Sequence, residues 1–217
     1  MKHFIVTRFN YKKNYPHLAE RLGLFFQYTL PSIKAQTNQN FEWIILCDYP
    51  PVAVIQATYL EPGWYCGKAL KGKYIDYVQD AAKDEDLVLT TRFDNDDMLM
   101  PTFVEDIQKE ATKPGLYETK GYYLDLRDGS FFADTLFSKI ITSPFITLAE
   151  KPSNKMKTAY HCPHAKMWEK FPLTIINKRD WVQVIHETNW VMNRTKDYGS
   201  RGKECAIPQF VMKLFNG

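Results

Sequence analysis

Two short apolar runs, His3-Phe4-Ile5-Val6-Thr7 and Phe41-Glu42-Trp43-Ile44-Ile45-Leu46-Cys47, stand on either side of a stretch with helical spacing. Continuous apolar and β-branched runs of this length read as strands buried on both faces. Between them Leu18, Leu22, Phe25, Phe26, Thr29, Leu30 and Ile33 recur at intervals of three and four, as in a helix with one buried side. Pro31 falls inside that pattern, lacks an amide hydrogen, and is expected to kink or interrupt the helix. Polar residues 8–17 form the loop before it. A strand, a helix and a strand with short links predict a right-handed parallel crossover, and hence an α/β fold.

The remaining chain extends this plan. A helix is expected over 74–83, a third strand over 86–90, and a helix from about Pro101 to Thr112 with proline in its first turn. Residues 120–126 and 130–134 flank Asp128-Gly129, a strong hairpin signal. A further strand is expected over 144–149, followed by a polar stretch over 150–158. A helix is expected from Asp180, an N-cap residue type, to about Met192. Residues 194–206 read as a polar loop and 207–215 as an amphipathic tail that docks on the body. With no internal repeat, 1–217 is expected to form one domain, with a parallel half (1–112) and a mixed half (113–217). In open α/β sheets ligands lie beyond the carboxyl ends of the strands. Asp48 and the acidic residues 94–97 both fall at such ends.

Composition narrows the function classes. A 45% hydrophobic and 24% charged chain has enough apolar side chains for a core, which excludes a disordered protein. A net charge of +3 without a long run of like charge does not match a dedicated nucleic-acid binder. No apolar run approaches the ~20 residues that span a bilayer. The four cysteines, Cys47, Cys66, Cys162 and Cys205, form no CxxC pair, and no leader pattern precedes the first strand. A reducing, cytoplasmic setting is therefore the expectation. The aromatic content of 15% mostly fills the core, with some rings available to stack on a sugar.

Asp94, Asp96 and Asp97 follow an apolar strand within four residues. Carboxylates this close repel one another unless a cation, hydrogen-bond donors or water offset them. Oxygen clusters of this kind suit Mg²⁺ or Mn²⁺, often shared with substrate phosphates. The alternative is a solvated acidic turn at the start of the next helix. His161, Cys162 and His164 also lie close in sequence, but no second ligand pair completes a zinc site, so a structural or binding-loop role is favoured. Asn193-Arg194-Thr195 matches a glycosylation sequon, which carries little meaning without a secretory signal.

Several motifs, in order, resemble GT-A glycosyltransferases. The stretch Ser32-Ile33-Lys34-Ala35-Gln36-Thr37, followed by Phe41-Glu42-Trp43-Ile44-Ile45-Leu46-Cys47-Asp48, is similar to their opening βαβ unit. Phe93-Asp94-Asn95-Asp96-Asp97-Met98-Leu99-Met100-Pro101 resembles their metal-binding acidic signature. Thr7-Arg8-Phe9-Asn10, together with Trp181-Val182-Gln183-Val184-Ile185-His186 and Asn189, resembles more narrowly the rhamnosyltransferase family. The resemblance implies a GT-A type fold with a mixed, mostly parallel central sheet flanked by helices. It implies sugar transfer from a nucleoside diphosphate sugar, UDP-linked and carrying rhamnose or glucose, to a glycan or other hydroxyl acceptor. The half over 1–112 would bind the donor and that over 113–217 the acceptor.

The resemblance also assigns roles. Thr7, Arg8, Asp48, Arg92, Asp94 and Asp97 would contact the donor. Asp94, Asp96 and His186 would hold Mn²⁺ or Mg²⁺, with Asp96 the direct ligand. Asp180 would take the acceptor proton, although Arg179-Asp180 stands where such enzymes carry Glu-Asp, and Glu187 is the reserve base. The alternatives are metal-dependent nucleotidyl or phosphoryl transfer, for which no Gly-rich phosphate loop is visible, and a non-catalytic carbohydrate-binding or scaffold domain.

Overall fold

A computed structural model describes residues 1–10, 17–48, 56–60, 73–127, 130–134, 143–187 and 202–215. Pro50-Pro51, Cys66, Asp128-Gly129, Asn189 and the sequon at 193–195 lie outside the described residues.

The first apolar run is β1 (Lys2–Asn10) and the second is β2 (Glu42–Cys47). They pair in parallel, and β1 also pairs in parallel with β4 (Val88–Asp94). A short β3 (Thr58–Leu60) extends β2 in the same direction. Beyond β4 the sheet continues through β8 (Thr147–Glu150), β6 (Gly115–Asp125), β7 (Phe131–Asp134) and β10 (Gly202–Glu204), all joined antiparallel. The long β9 (Leu173–Ile185) lies parallel to β6 and carries the two-residue β5 (Met98–Leu99) on its other side. The result is a mixed sheet with a parallel block, β3-β2-β1-β4.

Burial on both faces explains the unbroken apolar runs. Ile5 and Phe9 of β1 join Phe25, Ile33, Phe103, Val104 and Ile107 in one core, under α1 (Leu18–Leu24), α2 (Leu30–Lys34) and α4 (Phe103–Glu110). Phe4 and Val6 point the other way, to Tyr74 and Val78 of α3 (Lys73–Ala81) and to Met156 and Tyr160. Each such aromatic or aliphatic side chain contributes about 1.5–3 kcal/mol by leaving water.

Several expectations are revised. The interruption expected at Pro31 takes the form of a π-helical turn, Phe25–Thr29, which separates α1 from α2, and Pro31 stands in the first turn of α2. Pro101 lies before α4, whose N-cap is Thr102. The strand expected to end at residue 90 runs on to Asp94, because the polar Thr90 and Thr91 are buried and satisfied: Thr91 Oγ1 lies 2.6 Å from Thr147 Oγ1 and 2.7 Å from His3 Nε2. Residues 202–204, read as loop, form β10, and the tail forms α5 (Gln209–Phe215) with Val211 buried against Leu24 and Tyr28.

The largest revision concerns Asp180. The segment from 173 to 185 is one 13-residue strand, so Asp180 caps no helix. Trp181, Val182, Val184 and Ile185 are all buried, and β-branched residues covered on both faces suit a strand. The β6–β9 register slips at Lys120, leaving Asn177, Lys178 and Asp180 outside the one-to-one pairing. Gly121 faces Trp181 here, and a Cβ at Gly121 would lie 2.0 Å from indole Cδ2. Only glycine lets the indole cross the strand and donate from Nε1 to the Thr119 carbonyl at 2.9 Å.

Candidate functional site

The parallel block brings its strand ends to one edge. Arg8 of β1 stands opposite Asp94 of β4, and Asp48 follows β2 directly and is exposed. The end of β4 and the tight turn after it then place four consecutive polar residues, Asp94 to Asp97, each with its own set of contacts.

Asp94 turns to the α3 side of the sheet. Its Oδ1 lies 3.9 Å from Arg8 Nη2 and its Oδ2 lies 3.6 Å from Arg92 Nη2. Burial works to raise its pKa, but Arg92 and then Arg8 more than offset this and hold it below the usual carboxylate range. Both guanidinium groups pack on the Tyr160 ring, at 5.2 Å for Arg8 and 5.4 Å for Arg92, and the Tyr160 hydroxyl donates to the Val6 carbonyl. His164 approaches the same group. Burial, then the Arg92 charge, push its pKa down to about 4, so it is neutral at pH 7.

Asn95 is buried and ties the turn down: its Nδ2 donates to the Phe9 carbonyl at 3.0 Å, and its Oδ1 accepts from Arg21 Nη1 at 2.8 Å. Asp96 faces α1 and the end of β9. Its Oδ2 lies 3.3 Å from Arg21 Nη1 and 3.0 Å from His186 Nε2. The other nitrogen of that ring, Nδ1, lies 3.2 Å from Glu20 Oε1. Asp97 points inward. Its Oδ1 accepts the Val184 amide at 2.7 Å, and its carbonyl accepts the Thr29 hydroxyl at 2.9 Å. Burial, then the charges of Asp96 and Asp94, raise its pKa well above the ordinary value. Asp97 therefore pins β9 and the π turn to the acidic turn.

The structure thus brings Asp96 and His186 together, sets Asp94 with Arg8 and Arg92, and leaves Asp48 and Glu187 exposed nearby in sequence to these ends. Thr7 is buried and its Oγ1 accepts from Trp43 Nε1 at 3.0 Å, so its hydroxyl serves the core rather than a ligand. Asp180 is not part of the cluster. It stands six residues before His186 along the chain, at most roughly 20 Å away at about 3.3 Å per residue. Its surroundings are Thr102 and Asp106 of α4, and its Oδ2 is buried without a hydrogen-bond partner among the described residues. Burial, then the Asp106 charge, push its pKa up to about 7, against the lowering influence of Lys178 and the Thr102 hydroxyl. His161, Cys162 and His164 diverge: His161 packs edge-on to Phe171, Cys162 contacts Met167 Sδ, and His164 approaches Arg92.

Glu20, Arg21 and Asn95 are participants that sequence reasoning missed. Glu20 and Arg21 lie on a helix whose polar residues look like an ordinary solvated face, and 75 residues separate Arg21 from Asp96. Asn95 was readable only as the spacer inside the acidic motif.

The donor set fits a hard divalent ion. Asp96 Oδ2 and His186 Nε2, a carboxylate oxygen and an imidazole nitrogen 3.0 Å apart, are the donor types that would hold Mn²⁺ or Mg²⁺. Among the described residues no three His, Cys, Asp or Glu side chains gather to hold an ion unaided. Mg²⁺-type sites built from one or two protein ligands complete their shell with water and substrate phosphates. Among the described residues no helix is long and apolar enough to cross a membrane.

Comparison with known proteins agrees with this architecture. A family model described as "Putative rhamnosyl transferase" matches residues 5–52 and 70–196. Among solved structures, S. aureus TarS 1–349 in complex with UDP superposes with a TM-score of 0.51 at 12% identity, covering 85% of this chain and 61% of that one. A structure of S. aureus TarS gives a TM-score of 0.50 at 13% identity, covering 85% of this chain and 37% of that one. The chain therefore spans about three fifths of the length of TarS 1–349. These likenesses establish the shared GT-A type fold. No curated protein matches the sequence.

Proposed function

Because the chain belongs to the rhamnosyl transferase family whose model it matches over most of its length, we propose that it moves a sugar from a nucleoside diphosphate sugar to an acceptor hydroxyl with the help of a divalent metal ion. The observation that carries this reading is the 3.0 Å approach of Asp96 Oδ2 and His186 Nε2 at the carboxyl edge of the parallel strands. The donor is proposed to be UDP-linked, with rhamnose or glucose as its sugar. The UDP held by the TarS structure, on the same fold, supports a uridine nucleotide.

In this reading Asp48 and the Arg8–Asp94 pair receive the nucleoside at the ends of β2, β1 and β4. Mn²⁺ or Mg²⁺ held by Asp96 and His186 would supply positive charge to the diphosphate as it leaves. Arg21 holds the Asp96 carboxylate in place, and Asn95 fixes the turn that carries it. The acceptor oxygen forms its bond to the anomeric carbon as the bond to the diphosphate breaks, and the diphosphate keeps that electron pair. We assign the acceptor proton to Glu187, an exposed carboxylate directly after His186, in place of the distant Asp180.

Titration of UDP into the purified chain, with Mn²⁺ and then with EDTA, tests the reading. Binding that requires the metal is expected. Silence of UDP, GDP and dTDP alike, with metal present, would sink it.

A further inference from the structure

His186 is flanked by carboxylates on both ring nitrogens: Glu20 Oε1 at 3.2 Å from Nδ1 and Asp96 Oδ2 at 3.0 Å from Nε2. A neutral imidazole has one N–H, so it satisfies only one of these carboxylates as a donor. With the proton on Nε2, the ring bonds Asp96 and turns a lone pair toward Glu20. With the proton on Nδ1, the ring bonds Glu20, and the Nε2 lone pair faces the Asp96 carboxylate. That second arrangement is favourable when a cation lies between them.

We infer that Glu20 is a positioning residue that holds His186 in the Nδ1–H tautomer and so aims Nε2 at the divalent ion beside Asp96. This rests on the metal-assisted reading of the site. A carboxylate on the far nitrogen of a ligating histidine fixes the ring and raises its basicity. The scaffold keeps Glu20 in reach without help from the ion. Arg21, the next residue of the same helical turn, is anchored to Asn95 and Asp96. Leu24, at the end of α1, packs with Val182 and Val184, the part of β9 that leads into His186. Glu20 and the ion each favour the same tautomer, so each strengthens the other's contact. The Glu20 side chain is 40% exposed against 8% for Asp96, so it is the partner that can yield when the ring bonds Asp96 instead.

The test is Mn²⁺ titrated into the full chain with UDP present, free Mn²⁺ being read from its EPR signal. Glu20→Ala is expected to weaken Mn²⁺ binding about 10–100-fold, the usual loss for such an outer-shell carboxylate. Glu20→Gln, which keeps an acceptor oxygen, should restore most of it. The double variant Glu20→Ala/His186→Ala should bind no more weakly than His186→Ala alone, because Glu20 acts only through that ring. Circular dichroism confirms that each variant is folded. Wild-type affinity in Glu20→Ala, equal losses in Gln and Ala, or additive losses in the double variant would each overturn the inference while leaving the metal site standing. No uptake of Mn²⁺ by the wild-type chain with UDP would remove the metal site itself, and the inference with it.

Discussion

Replacing Asp180 by asparagine separates a structural carboxyl from a catalytic one. The side chain is 2% exposed, its Oδ2 lacks a hydrogen-bond partner among the described residues, and Asp106 adds like charge. Its pKa is pushed up from 3.8 to about 7 in the fold. Below the unfolded value both states carry the proton, and the stabilisation due to this carboxyl is fully present. As pH rises toward 7 the unfolded chain ionises while the folded chain keeps the proton, so stability falls. Each pKa unit is about 1.4 kcal/mol, so the two units between pH 5 and pH 7 amount to about 2–3 kcal/mol. Asparagine carries no charge at either pH and has no such slope. Urea denaturation near pH 5 and near pH 8 is the assay, with midpoints compared at unchanged m. Relative to wild type, Asp180→Asn should gain about 2–3 kcal/mol on going from the lower to the higher pH. UDP affinity should not change. Parallel pH profiles for the two proteins would refute the argument from burial.

Two further substitutions probe the frame around the site. Gly121→Ala sets a methyl group where Trp181 Cδ2 would be 2.0 Å away, so the indole must leave and lose its bond to Thr119. The cost should lie at about 2–5 kcal/mol in denaturation, between overpacking and loss of a buried aromatic, and a change under about 1 kcal/mol would mean the strands simply part. Thr7→Val leaves the Trp43 indole N–H without its acceptor. This should cost about 1–3 kcal/mol in stability. UDP affinity measured by calorimetry should stay the same, and a clear drop would return the Thr7 hydroxyl to the donor site.

The parts of the fold that were legible share one property: local pattern and tertiary environment agree. The β1 and β2 runs are apolar because both faces are covered, and Asp128-Gly129 sits between strands that do pair antiparallel. From Asp180 onward the sequence reads locally as a helix because Asp180 is a good N-cap type, although the β-branched Val182, Val184 and Ile185 that follow belong to a strand. The strand character of 173–185 depends on the long parallel partner β6, which no local pattern reveals. Asp96 and His186 were reachable through motif resemblance, and the structure brings them into contact. Glu20 and Arg21 were not, since their function depends on the packing of α1 against residues 74–166 positions away in sequence.

The central claim is that Asp96 and His186 together make a metal-assisted donor site. Its most direct test is release of nucleoside diphosphate from a panel of UDP-, GDP- and dTDP-sugars, with Mn²⁺ or EDTA, by the wild-type chain, Asp96→Asn and His186→Ala. The account predicts metal-dependent release from at least one donor by wild type, lowered at least about 100-fold in each variant, the scale expected when charge stabilisation of a leaving group is lost. Release that survives EDTA, or that either variant retains in full, would contradict it.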